Sequence, residues 1–378
     1  MPTKIEHFNV NWMTGMKINR DHFIQQENAF KDHLKDAYSI GLNNKNYGLL
    51  PLDIPNEESY KVEITLDNEN FLKVKIFQYR SVSQGGGRVE ILKDHLLPEF
   101  KLDLSTEIGS VSDSKDNGYF VVLSMNLFER QNFGELKTDE EPPRFPYIIP
   151  EYKVHLISED QIQSDSYQPF TFFMGKLYVK GDKIEIYDNY IPPCMRISSH
   201  TALISFLIGI IKQYDQIESN LVSIIRKIKE KQQDTTLAQS VLTLSEDLLK
   251  YISHNHVRLQ WEMNDLPLVY LLQYIATTAH VIKNAIDTKT ASDKEELLNY
   301  FTGWTELKQG DFEKLIKYCI NFNYQHFNIQ YSVEQFSEFM QVISLLFKKL
   351  ESLTYIGKKK ETNIFVKEQK TKRSFLAD

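Results

Sequence analysis

Apolar residues follow one period in the first half of the chain and another in the second. Between about residues 46 and 195 they come in short runs: KVEITL (61–66), FLKVKIFQY (71–79), RVEIL (88–92), GYFVVLSMNLF (118–128) and EYKVHLIS (151–158). Such runs, rich in β-branched and aromatic residues and bounded by polar or Gly/Pro turns, predict strands. FFMGKLYVKGDKIEIYD (172–188) reads as two more across a Lys-Gly-Asp-Lys turn, and KTDEEPPRFPYIIP (137–150) as a long acidic loop. Strands at this spacing predict an antiparallel sandwich or barrel. One helix precedes them, capped by Asp21, with Phe23, Phe30, Leu34 and Ala37 near one face.

The period changes at NYIPPCMRISSH (189–200), where two prolines exclude helix and Ser198 or Ser199 can cap a helix beginning just beyond. Leu203, Leu207, Ile210, Tyr214, Ile217, Leu221, Ile224 and Ile228 then recur at alternating spacings of four and three. This heptad repeat belongs to a coiled coil or a helical bundle, and its Ile content leans toward trimers. An intrachain bundle would show the same repeat. Eight consecutive matches point to a long straight helix and to self-association along it.

Further helices are expected over 237–252 and 266–286, the second opened by Asp265 and Pro267. Capping boxes at Ser292 with Glu295 and at Ser332 with Gln335 start two more, the last running to about Leu353. The final segment reads as a small hairpin turning at Gly357 and ending in a basic tail. The fold class is therefore multidomain, β then α. An antiparallel β domain (1–195) is followed by a helical bundle (196–290) expected to trimerise along its seam, and by a mostly helical C-terminal domain with a terminal β-hairpin (291–378); the resemblance given below implies that the first is a β-sandwich shell and the last a partner-binding domain.

Composition narrows the function. With 42% hydrophobic and 25% charged residues most of the chain can fold. Residues 1–195 hold 21 Lys and Arg against 30 Asp and Glu, a net charge of −9, and the remainder is at +2. An acidic front half argues against nucleic acid as partner, which needs clustered cations. Cys194 and Cys319 form no CxxC pair and read as reduced core thiols. No secretory h-region follows Lys4, and the longest apolar run, ALISFLIGII (202–211), is half a membrane span. The expectation is a cytoplasmic protein with no direct membrane insertion.

Motifs for chemistry are sparse. SQGGGRVE (83–90) lacks the Gly-Lys-Ser/Thr end of a phosphate loop and reads as a flexible hairpin loop. His254 and His256 face apart on a helix, and His7, His22 and His33 are spaced too irregularly for a metal. No GxSxG, HExxH or nucleophilic Cys/His signature occurs, and Asp139, Glu140 and Glu141 sit in a polar loop. These readings assign no catalytic residue, cofactor or metal.

One segment stands apart. In VNWMTGMKINRDHFIQQ (10–26), Trp12 is followed by Gly15 and Met16, then by His22, Phe23, Gln25 and Gln26. This pattern resembles the N-terminus of the TssK family, baseplate subunits of bacterial type VI secretion systems. YGLLPLDI (47–54) is similar to that family's first strand. YIPPCMRISSHTAL (190–203), with Ile191, Pro192 and Pro193, is similar to the segment that leads from its β domain into helices. The resemblance implies a non-enzymatic homotrimer at the inner face of the cytoplasmic membrane. Its shell would dock on the wedge proteins TssF and TssG, and its C-terminal domain would reach the membrane complex. The chain is short after the bundle, which fits a Bacteroidetes-type system with other membrane proteins. Trp12 and Phe23 are expected to pack the shell core, with amides near a docking edge. A phage-tail-like receptor-binding protein with a carbohydrate-binding shell is the alternative.

Overall fold

The computed structural model describes residues 4–51, 59–92, 97–108, 117–163, 168–180, 183–305 and 307–357. The expected terminal hairpin lies outside these residues. Among the described residues, an entry helix α1 (Arg20–Ser39) precedes nine strands. They are β1 (Gly48–Leu49), β2 (Tyr60–Leu66), β3 (Phe71–Val82), β4 (Arg88–Ile91), β5 (Phe100–Asp103), β6 (Asn117–Phe133), β7 (Tyr147–Ser158), β8 (Thr171–Lys180) and β9 (Lys183–Ile186). Short helices α2 (Leu104–Glu107) and α3 (Glu159–Gln163) punctuate them.

The strands form two antiparallel sheets. In the first, the long β3 pairs with β2 and β1 and also with β4 and β5. The second runs β7-β6-β8-β9. Leu72, Val74 and Ile76 of the first sheet share a core with Val121, Leu123, Met174 and Leu177 of the second. Tyr60 and Tyr79 donate across the gap to the Met174 and Phe173 carbonyls, at 2.6 and 2.9 Å. The opposite face of the second sheet is covered too, by Phe120, Val122, Phe173 and Tyr190 packed with Phe327. Burial on both faces explains why β8 reads as a continuous apolar block rather than an alternation. The acidic stretch 137–150 is the exposed end of the β6–β7 hairpin, closed by a bridge between Lys137 and Arg144.

Among the described residues, the α half holds α4 (Thr201–Glu230), α5 (Thr236–Trp261), α6 (Leu268–Asp287), α7 (Ala291–Thr305), α8 (Gln309–Ile320) and α9 (Ile329–Ser352). None of the described helices is long and apolar enough to cross a membrane. α4 lies between α5 and α9, α6 packs on α5 and α8, and α7 on α5 and α9. All eight seam residues, Leu203 to Ile228, are buried inside this single chain. The Tyr214 hydroxyl meets the Thr278 hydroxyl of α6 at 2.7 Å, and Lys227 donates to the Glu351 and Leu353 carbonyls at the end of α9. The seam is therefore an intrachain packing surface. Side chains buried this deeply in one chain, at most 5% exposed, have almost no area to give to a second copy, so the expected trimer interface does not lie here.

Of residues 291–378, expected as a separate domain, the described part contributes α7, α8 and α9 to this bundle and shares its core. Several helix starts differ from expectation. Asn19 rather than Asp21 caps α1, and His200 rather than Ser198 or Ser199 caps α4. Thr290 rather than Ser292 accepts from the first turn of α7, and α9 begins at Ile329, ahead of Ser332. In each case the cap sits a few residues before the apolar period becomes visible.

Candidate protein-docking face

The segment 10–26 resolves into local roles. The Met16 amide donates to the Met13 carbonyl at 3.1 Å, closing a turn in which Gly15 takes φ +84°, a conformation that favours glycine. His22 completes a capping box. Its amide donates to Asn19 Oδ1, and its Nδ1 accepts from the Asn19 amide. Gln26 pins the incoming chain, accepting from the Val10 amide and donating to Asn9 Oδ1, both at 3.0 Å. Met16 is half-buried and Gln25 exposed.

α1 is packed with its polar face inward. Its buried residues are Ala29, Asp32, Lys35 and Ser39. The Asp32 carboxylate accepts from the Glu6 and His7 amides at 2.6 and 2.8 Å, and lies 2.5 Å from the Lys35 ammonium. Burial alone would raise its pKa. The Lys35, Glu6 and His7 donors outweigh that and hold it down to about 2. His7 stacks on Phe128 of β6, and Arg130 pairs with Glu27, so the helix is fastened to the β6–β7 hairpin. Near its C-terminus α1 rests on the triple-glycine loop. That loop is buried rather than a free hairpin tip, and a Cβ on Gly86 would fall 2.4 Å from the Lys35 carbonyl.

The apolar face consequently points to solvent. Phe23 is 61% exposed, Phe30 59% and Leu34 54%, with Tyr38 beyond them; Ala37 is exposed as well. Trp12, 47% exposed, lies edge-on to His22 at 6.0 Å and tilted to Phe23 at 6.2 Å. The expectation that Trp12 and Phe23 seal the shell core is thus overturned. Charge pairing and amide pinning already fill the inner face, so the rings remain outside. A row of large apolar groups on one ordered helix is the signature of a protein-docking face.

Two segments distant in sequence also meet. The Leu49 amide donates to the Pro193 carbonyl at 2.7 Å, and the Met195 amide to the Leu49 carbonyl at 3.0 Å. Ile191, Pro192 and Pro193 are all buried here. Gly48 makes the approach possible, at φ +109° and with its Cβ position only 1.9 Å from the Pro193 carbonyl oxygen. His326, on the loop before α9, contacts the Tyr47 carbonyl through Nε2 at 2.8 Å and the Tyr324 hydroxyl through Nδ1 at 2.7 Å. Burial lowers its pKa to about 4, so the ring is neutral, donating to Tyr47 and accepting from Tyr324. Tyr190 donates to the Phe327 carbonyl at 3.0 Å. The β and α halves are therefore joined by residues 47–49, 190–195 and 324–327. The third of these carries no signal in the sequence pattern.

No clustered metal ligands occur among the described residues. Glu140 of the acidic hairpin is half-buried, and its carboxylate is held below its ordinary range by Arg144 and Lys137.

No protein-family model matches the chain, and no curated protein sequence does. Solved structures do. A crystal structure of TssK is similar with a TM-score of 0.44 and 12% identity, over 89% of this chain and 68% of the other. TssK from the type VI secretion system of EAEC, in complex with a nanobody, gives 0.46 and 16%, over 86% and 99%. The TssK-TssF-TssG baseplate subcomplex gives 0.45 and 14%, over 91% and 100%. These neighbours are all TssK structures.

Proposed function

We propose that this protein is a structural baseplate subunit of a type VI secretion system. In this reading it is a cytoplasmic, non-enzymatic homotrimer that links TssF- and TssG-like wedge proteins to a membrane-anchored complex. The observation that carries the reading is the α1 face. The segment whose pattern resembles TssK is also the one that holds Trp12, Phe23, Phe30 and Leu34 outward on a helix locked to the hairpin. A preorganised helix loses little entropy on docking, and each large apolar side chain buried adds about 1.5–3 kcal/mol before association costs. With the heptad seam closed inside each chain, subunits associate through other surfaces. Three linked copies then turn modest contacts into firm attachment through effective concentration.

The test is co-purification of the tagged full-length chain with the products of its neighbouring genes. Phe30→Asp with Leu34→Asp should abolish capture of the wedge proteins while leaving the melting temperature within a few degrees, because both side chains already face water. Undiminished capture by this variant would refute the assignment of the face.

A further inference from the structure

A cavity of about 330 Å³ opens where β8 and the end of β9 meet the start of α9. Glu159, Tyr178, Tyr187, Gln325, Asn328 and Glu334 line it, and among the described residues no aliphatic side chain does. Polar bonds hold its walls in place. Lys176 of β8, 4% exposed, lies 2.5 Å from Glu159 Oε1, with its ammonium 4.9 Å from the centres of both the Phe120 and Tyr178 rings. Tyr187, just past β9, donates to Glu334 Oε1 of α9 at 2.6 Å, and Gln330 Nε2 donates to the same oxygen at 2.8 Å. Tyr178 and Tyr187 meet edge to face at 5.9 Å. The shape of the cavity is therefore set before any ligand arrives.

Unused hydrogen-bonding capacity remains on the lining. Among the described residues, no hydrogen bond engages the Gln325 or Asn328 carboxamide, and the second carboxylate oxygens of Glu159 and Glu334 have no partner. Asn328 precedes α9 at the N-cap position yet makes no side-chain capping bond. The cavity thus offers carboxylate acceptors beside carboxamides that both donate and accept. An apolar ligand would strand these groups. A phosphate or carboxylate is disfavoured, because Glu159 and Glu334 outnumber Lys176, and Glu159 already engages that lysine. Hydroxyl groups on neighbouring ring carbons each donate and accept, and their C–H edges suit the negative faces of tyrosine rings. We infer that this cavity binds a neutral sugar as a single pyranose unit. Its volume lies at the small end of ligand pockets, about 300–1,000 Å³, which suits one ring rather than a chain. About a dozen non-hydrogen atoms, at the efficiency usual for small ligands, give a dissociation constant on the order of a millimolar. A bound sugar touches both halves of the molecule, through β8 and α9. The inference goes beyond the baseplate assignment and does not depend on it.

Saturation-transfer NMR on the full-length protein tests it. Glucose, galactose, mannose and N-acetylglucosamine, each at about 10 mM, are the probes, with glucose 6-phosphate and putrescine as charged comparisons. At least one neutral sugar should receive saturation, with a dissociation constant on the order of a millimolar, and should bind more tightly than either charged compound. Gln325→Ala with Asn328→Ala removes the two unengaged carboxamides and should weaken binding about tenfold or more. The melting temperature of that variant should stay within a few degrees, since neither carboxamide is bonded within the fold. Phe30→Asp with Leu34→Asp, which alters only the α1 face, should bind sugar as the wild type does, so sugar binding and wedge capture are read separately. Absence of saturation for all four neutral sugars, binding undiminished in the Gln325→Ala, Asn328→Ala variant, or tighter binding of glucose 6-phosphate or putrescine would each overturn the proposal.

Discussion

Replacing His326 with Gln probes the bond between the two halves of the molecule. The native ring is buried, donates to the Tyr47 carbonyl and accepts from the Tyr324 hydroxyl, so the folded protein holds it neutral. Its pKa falls from 6.5 to about 4. Between those values the unfolded chain binds a proton at this position and the folded chain does not. Stability therefore declines as pH falls through the window, by about 1.4 kcal/mol per unit and about 3 kcal/mol in all. His200 behaves alike, because burial lowers its pKa to about 4 and its Nδ1 accepts from the Ala202 amide at the start of α4. Urea unfolding of the wild type between pH 7.5 and 4.0 should show the combined slope, to which His155, its pKa likewise lowered by burial, adds, and His326→Gln should lose one proton's share of it. The variant is also weaker at neutral pH, since Gln cannot both donate to Tyr47 and accept from Tyr324 in the same geometry. The slope rather than the midpoint is therefore diagnostic. An unchanged slope in His326→Gln would show that the joint is not what senses acid.

Asp32→Asn should destabilise the protein by about 2–3 kcal/mol, because the buried Lys35 loses its counter-charge and two amides lose a charged acceptor. Accelerated proteolysis around α1 would report it, and resistance equal to wild type would count against the lock. Gly48→Ala should cost about 3 kcal/mol or more, since it adds both a positive-φ penalty and a clash with Pro193; denaturant melts decide this. Ile217→Asp places a carboxylate in a fully buried position and should prevent folding of the bundle altogether. A soluble variant with a cooperative melt and a changed oligomer mass would return the seam to the subunit interface.

The strands and the heptad helix were legible because their apolar periods are long and regular. What covers a periodic stripe is another matter. Leu203 to Ile228 satisfy a coiled coil and an internal helix equally, and the choice was made by α9, more than 100 residues away in sequence. α1 misled for the opposite reason. Phe23, Phe30 and Leu34 gave the visible stripe, whereas the face that packs is held by Asp32, Lys35 and Ser39 through ionic and amide bonds that carry no hydrophobic period. The joint escaped notice because residues 321–328 are aperiodic, although Tyr324, His326 and Phe327 supply its contacts. The motif segments at 47–49 and 190–195 were visible, but their pairing depends on Gly48 meeting Pro193 across some 145 residues.

The closure of α4 by α9 sets an order of events during synthesis. The apolar stripe on α4 is complete when Ile228 leaves the ribosome, but its cover is finished only at Ser352. At about 5–20 residues per second the stripe waits roughly 6–25 s for its last partner. Through that interval the nascent chain displays a row of Leu and Ile like the seam of an open coiled coil, and polysomes bring identical copies close together. Chains cut short before α9 would keep that row permanently, and their fate would be aggregation or capture by chaperones rather than a smaller working protein.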